Sequence, residues 1–155
     1  MKHILVVDDD RSLRTILCMV LEADGYSVEP APDGMAALAY LREHREPCVV
    51  LLDYYLPRLD GYEVLCQINA EAESAMLPPY AITFMTAAHE TLPLALVDLL
   101  HAQDIPLLAK PFGLNELLRA VAVACRRLAE MSAQLPAAAR ERDAVPVTRR
   151  RVGVK

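Results

Sequence analysis

Cys48-Val49-Val50-Leu51-Leu52-Asp53 is a run of five apolar residues closed by a carboxylate. A strand that is apolar at every position, with no alternation, is buried on both faces, as a central strand of a parallel sheet is. Three other runs share this build. Ile4-Leu5-Val6-Val7 leads into Asp8-Asp9-Asp10, Ala81-Ile82-Thr83-Phe84-Met85 into Thr86, and Leu107-Leu108-Ala109 into Lys110-Pro111. If these are parallel strands of one sheet, their C-terminal ends share an edge, and open α/β sheets bind ligands at that edge. The carboxylates of Asp8, Asp9 and Asp53, a hydroxyl and an ammonium would meet there. That set suits a divalent cation beside a transferable phosphoryl group.

Between the runs the apolar period changes to 3.6 residues, the signature of amphipathic helices. Leu13, Ile16, Leu17, Val20 and Leu21 share one face of a helix that starts near Asp10, a natural N-cap, and stops at Asp24-Gly25. A second strand is expected over residues 26–29. Asp33-Gly34 opens the second helix, and Val64, Leu65 and Ile68 mark the third. A short fourth helix is expected over residues 92–102, with Pro93 tolerable in its first turn. The fifth runs from about Leu114 to Ser132. The last strand is expected over residues 105–109, where Pro106 argues for an edge or a strand start. Five β-α units with right-handed crossovers make a doubly wound five-stranded parallel α/β sheet with five helices. No G-x-G-x-x-G and no Walker loop occurs, so no nucleotide cofactor is expected.

The 155 residues are 54% apolar and 24% charged, which suits one packed domain plus a tail. No apolar run is long enough to span a membrane, and the chain enters a strand pattern at once, so a cytoplasmic location is expected. Cys18, Cys48, Cys66 and Cys125 sit inside apolar patterns without metal or redox spacing, and read as reduced, buried small hydrophobes. The four histidines are too scattered to form a site, although His89 follows the fourth strand and could approach a phosphoryl group. Residues 1–133 carry 10 Lys/Arg against 19 Asp/Glu, whereas residues 134–155 carry 6 against 2. An acidic globule repels nucleic acid, so no direct nucleic-acid binding is expected. The segment 134–155, with Pro136, Pro146 and Arg149-Arg150-Arg151, reads as a basic, disordered tail.

A carboxylate such as Asp53 can accept a phosphoryl group as an acyl phosphate. Its charge repels the incoming anion, and a hard cation such as Mg²⁺ offsets that repulsion. Asp8 and Asp9 supply further carboxylates. Adjacent strand residues point to opposite faces, so the turn after Val7 must re-aim at least one of them. Lys110 can neutralise a phosphoryl oxygen and Thr86 can donate a hydrogen bond to another. Each piece alone is ordinary: an acidic helix start, a turn threonine, a loop Lys-Pro. Their joint order is specific: apolar-Asp-Asp, then Asp-x-x-x-Pro-x-x-x-Gly, then apolar-Thr-Ala, then Lys-Pro-Phe.

In that order the chain resembles the receiver domain of two-component response regulators, over about residues 2–132. The resemblance implies a flavodoxin-like sheet in the order 2-1-3-4-5, a receiver domain over 1–133 and a tail over 134–155. It implies Asp53 as the phosphoacceptor, charged by a sensor histidine kinase, a phosphotransfer protein or a small phosphodonor. It implies Mg²⁺ held by Asp8, Asp9, Asp53 and the backbone carbonyl of Tyr55, with Asp9 rather than Asp8 as the direct ligand of the pair. It implies Thr86 and Lys110 on the phosphoryl oxygens and a cis bond before Pro111. The expected function is a stand-alone phosphorylation switch, read by a downstream protein. It would be no enzyme beyond its own phosphorylation and dephosphorylation. A homodimer would form through the face of helix four, strand five and helix five.

Departures from that pattern carry expectations of their own. Leu107 replaces the usual Tyr or Phe, which removes a common rotating-ring readout. Gln103-Asp104 replaces the customary Gly-Ala. Helix four is unusually apolar through Leu94, Leu96, Val97, Leu99 and Leu100, either for core packing or for a different partner. The Tyr55 ring would lie beside the path of an attacking water and slow hydrolysis. Two other readings compete. One is a Mg-dependent phosphatase resembling the haloacid-dehalogenase group, although Tyr55 stands where those enzymes carry a second Asp. The other is a pseudo-receiver scaffold that works without phosphorylation.

Overall fold

Four short apolar runs and one mixed segment form the strands β1 (His3–Val7), β2 (Ser27–Ala31, the mixed one), β3 (Cys48–Asp53), β4 (Tyr80–Thr86) and β5 (Leu107–Ala109). They pair in parallel in the order β2-β1-β3-β4-β5. The structure, a computed structural model, describes residues 2–44, 46–74, 77–87 and 89–134. The basic tail expected from 134 onward therefore lies outside the described residues, Gln134 excepted. Every residue of β3 is buried, as its unbroken apolar run requires.

The helices are α1 (Arg11–Ala23), α2 (Gly34–Glu43), α3 (Gly61–Glu73), α4 (Leu94–Ala102) and α5 (Leu114–Gln134). Alternate strand residues face two apolar layers. Ile4, Val6, Val49 and Leu51 pack with Leu17 and Leu21 of α1 and Leu117 and Val121 of α5. Leu5, Val7, Val50 and Leu52 pack with Leu38 of α2, Leu65 of α3 and Leu96 of α4. Asp10, Asp33 and Asp60 cap α1, α2 and α3 through their side chains. Each carboxylate satisfies amides that a helix start leaves without intrahelical partners. Gly25 takes φ +90° just past α1, the left-handed turn for which glycine has no steric penalty.

Several boundaries depart from the expected ones. β2 starts at Ser27 because the Tyr26 amide donates to Leu21 O at the end of α1. It then runs on through Pro30, which an edge strand tolerates because a missing N–H can face outward. β5 starts at Leu107 because the Ile105 amide donates to Leu100 O of α4 and is lost to the ladder. α4 starts at Leu94, after a 3-10 turn at His89–Thr91 and with Pro93 as its N-cap. Ile16 is 56% exposed rather than core. It lies a single residue round the helix from Leu17, and the buried stripe follows Leu17 and Leu21. Cys66 is exposed and Cys18 only half-buried; Cys48 and Cys125 are buried as expected, and all four thiols are free. Of the five large apolar residues of α4, Leu96 and Leu100 are buried and Val97 and Leu99 pack against the core. Leu94 is left 80% exposed. No helix among the described residues is long and apolar enough to cross a membrane.

Candidate functional site at the carboxyl edge of the sheet

The strand ends bring Asp8, Asp53, Thr86 and Lys110 to one edge. Asp8 follows β1 directly, and its amide still donates to Ala31 O of β2 at 3.2 Å. Asp53 and Thr86 are the last residues of β3 and β4. Lys110 follows β5, and its amide donates to Thr86 O at 2.8 Å, so the register of β5 on β4 places it. The peptide between Lys110 and Pro111 is cis. Asp8, Asp53 and Thr86 are all buried polar residues, at 0%, 3% and 0% exposure. Such groups are costly to bury unless paired or bound to a cation.

Lys110 provides part of that pairing. Its Nζ donates to Asp8 Oδ2 at 2.7 Å and lies 3.1 Å from Asp53 Oδ2. Burial alone pushes the ammonium down, but the Asp8 hydrogen bond and the charges of Asp53 and Asp8 outweigh it and hold its pKa above the usual lysine value. Asp53 is the less compensated partner. Burial drives its pKa up from 3.8 to about 6, against the opposing pull of Lys110 and with the Asp8 charge adding to the rise. Its other oxygen, Oδ1, is buried with no hydrogen-bond partner.

That orphaned oxygen bears on the expected metal. Carboxylate oxygens of Asp8, Asp9 and Asp53 all lie within 4.8 Å of one another. An all-oxygen donor set of this kind, with one buried oxygen lacking a donor, is the chemistry that hard cations take. Asp9 is exposed, so the cluster opens to solvent on its side. Tyr55 stands in the loop after β3, 54% exposed, with its ring edge-on to that of Tyr54, centroids 4.9 Å apart. The His89 side chain lies outside the described part.

The loop after β3 is held close to Asp53. Gly61 N donates to Tyr54 O at 2.9 Å, and a Cβ at Gly61 would come within 2.3 Å of Asp53 O. The glycine that closes the Asp-x-x-x-Pro-x-x-x-Gly pattern thus permits a close backbone approach. Two features of the site have no counterpart in the sequence analysis. Arg58, at φ +68°, pairs with the Asp33 cap of α2 and ties this loop to the neighbouring helix. Arg14 Nη1 donates to the main-chain carbonyl of Asp8 at 2.6 Å. A basic residue one turn into the helix after an acidic trio is the only available signal for the second.

Fold and site together define a doubly wound α/β protein with a lysine-bridged acidic pocket at the carboxyl edge of its sheet. The chain belongs to the response regulator receiver domain family, whose model matches residues 4–122. It is 41% identical over 125 residues to the response regulator MprA of Mycobacterium sp. strain KMS, covering 81% of this chain and 51% of that protein. Against MprA of Mycobacterium bovis strain BCG / Pasteur 1173P2 it is 39% identical over 149 residues, covering 95% and 61%. The chain therefore spans roughly half to three-fifths of these relatives. Among solved structures, the chemotaxis protein CheY4 of Vibrio cholerae superposes with a TM-score of 0.65 at 30% identity, covering 80% of this chain and 98% of that one. The response regulator StyR gives 0.74 at 30% identity, covering 91% and 65%. The strand order expected from the sequence is the one these comparisons and the sheet share.

Proposed function

We propose that this chain is a phosphorylation-dependent signalling switch in which Asp53 accepts a phosphoryl group from a sensor histidine kinase or phosphotransfer protein. The observation that carries this reading is the state of Asp53: buried, bridged to Lys110 through one oxygen, and without a partner on the other. A carboxylate oxygen attacks the phosphorus, the bond from phosphorus to the donor's nitrogen or oxygen breaks, and the electron pair leaves with the donor. Lys110, already 3.1 Å from the acceptor, stays beside the phosphoryl oxygens as a fixed positive charge. Thr86, buried at the end of the adjacent strand, supplies a hydroxyl on the same edge. Asp8, Asp9 and Asp53, with the Tyr55 carbonyl, would hold Mg²⁺, which supplies charge neutralisation for the transfer when bound.

The switched surface would include the loops after β3 and β4, whose equilibrium the phosphoryl group biases. A downstream protein or a second copy would read it on the face of α4, β5 and α5, where Leu94, Leu107 and Leu114 stay exposed. With Leu107 in place of a ring, that readout works through backbone and packing shifts.

The deciding experiment is incubation with Mg²⁺ and acetyl phosphate, followed by intact-mass measurement. One phosphoryl adduct is expected on the wild type and none on Asp53→Asn. No adduct on either leaves the phosphorylation-independent scaffold as the reading, and turnover of generic phosphate monoesters would make the chain a phosphatase. The same assay tests the ring at Tyr55. Tyr55→Ala should shorten the adduct's lifetime several-fold, since water then reaches the acyl phosphate more freely. Equal decay of the two proteins would end that idea.

A further inference from the structure

We propose that Arg14 is a positioning residue for the acidic pair: by gripping the Asp8 carbonyl it fixes the peptide that aims Asp9 at Asp53. The proposal rests on the divalent-cation reading above. Consecutive residues of an extended strand point to opposite faces. Yet the carboxylates of Asp8 and Asp9 both reach the Asp53 cluster. The chain must therefore turn between them, and something must hold the turn.

Asp8 is held at every polar atom. Its amide donates to Ala31 O, its Oδ1 accepts from the Asp10 amide at 2.9 Å, and its Oδ2 accepts from Lys110 at 2.7 Å. The remaining atom, its carbonyl oxygen, accepts from Arg14 Nη1 at 2.6 Å. That carbonyl belongs to the same planar unit as the Asp9 amide, so holding it sets the direction in which Asp9 leaves the strand. Asp9 itself is exposed. Arg14 is half-buried on the first turns of α1, where a planar, pre-organised fork loses little entropy in making this bond.

The choice of acceptor argues for positioning over neutralisation. Three carboxylates lie next door, yet the guanidinium donates to a neutral carbonyl, and no ion pair of Arg14 is found among the described residues. The two roles also predict opposite signs. Removing a positive charge beside the pocket strengthens cation binding through Coulomb attraction. Releasing the Asp8–Asp9 peptide weakens it, by the roughly 10–100-fold that loss of an outer-shell partner costs a metal site.

The test is an electron-paramagnetic-resonance titration with Mn²⁺ as the probe, on the full chain, alongside thermal melts without metal. Arg14→Lys keeps the charge and loses the fork. It should raise the Mn²⁺ dissociation constant about tenfold while still melting cooperatively. Saturating Mn²⁺ should then restore labelling by acetyl phosphate to near the wild-type rate, the pattern of a binding defect. Arg14→Ala should also bind more weakly, despite its favourable change in field. Wild-type affinity in Arg14→Lys, or tighter binding in Arg14→Ala, overturns the proposal. If one variant melts without cooperativity, the other carries the test. A wild-type chain that binds no Mn²⁺ overturns the cation reading itself.

Discussion

Replacing Lys110 by alanine is expected to destabilise the metal-free protein by about 2–4 kcal/mol at pH 7, and by clearly less at pH 5. The bridging ammonium is the cation within salt-bridge distance of both Asp8 and Asp53, which are almost wholly buried. Breaking a buried pair by removing one partner leaves an uncompensated charge, and typically costs about 3–5 kcal/mol. The protein has an escape, which is to take up a proton on the pair. Asp53, whose pKa is already raised to about 6, takes one up at pH 7 for about 1.4 kcal/mol, being about one pH unit above that value at about 1.36 kcal/mol per unit. The Lys110–Asp8 hydrogen bond is lost as well, worth about 1.5–3 kcal/mol between charged groups, and at pH 5 Asp53 already holds its proton, so only this second part remains. Urea denaturation of both proteins at the two pH values, without divalent cations, measures it. Added Mg²⁺ should stabilise the variant more than the wild type, since the cation then meets two carboxylates with no competing ammonium. Equal stability at pH 7 would mean that Lys110 is not what compensates the buried charges.

This dependence on one lysine explains which parts of the molecule can be read before folding. The apolar run ending at Asp53 announces a doubly buried strand by composition alone, and β3 is buried throughout. Caps are equally local: Asp10, Asp33 and Asp60 lie next to the helices they start. The gathering of strand ends follows from parallel topology, so the edge shared by Asp8, Asp53, Thr86 and Lys110 can be anticipated without coordinates. Its inner wiring cannot. Lys110 and Asp8 are 102 residues apart, and their 2.7 Å bond depends on how far each strand runs. The boundaries of β2 and β5 shift because helix ends compete for the amides of Tyr26 and Ile105. Ile16 falls outside the core because a 3.6-residue period gives a face without giving its edges. Arg14 leaves only a weak trace, a basic residue one turn into α1, because a side chain that bonds a carbonyl has no charged partner to mark it in the pattern.

The second large effect concerns Asp53→Asn, which should change the pH dependence of stability as well as abolish the adduct. The folded-state pKa of Asp53 is raised, from 3.8 to about 6, with burial as the main cause. A raised value means that the folded protein binds this proton more tightly than the unfolded chain. Stability linked to Asp53 is therefore fully present below about pH 4 and is lost as pH rises through about 6. A rise of that size corresponds to about 3 kcal/mol, and the residue is too buried for solvent to screen much of it. The substituted amide carries no charge to desolvate. The stability difference between Asp53→Asn and wild type, measured without divalent cations, should thus grow by up to about 3 kcal/mol in favour of the variant between pH 4 and pH 7. Taking the difference cancels the other carboxylates, such as Glu71, whose pKa is lowered by its Arg42 hydrogen bond and whose contribution runs the opposite way. In wild type, Mg²⁺ should flatten the slope by stabilising the ionised form, and it should have little effect on the variant. A difference that stays constant from pH 4 to pH 7 would show that the Asp53 carboxylate is solvated rather than held, ionised and under-compensated, at the end of β3.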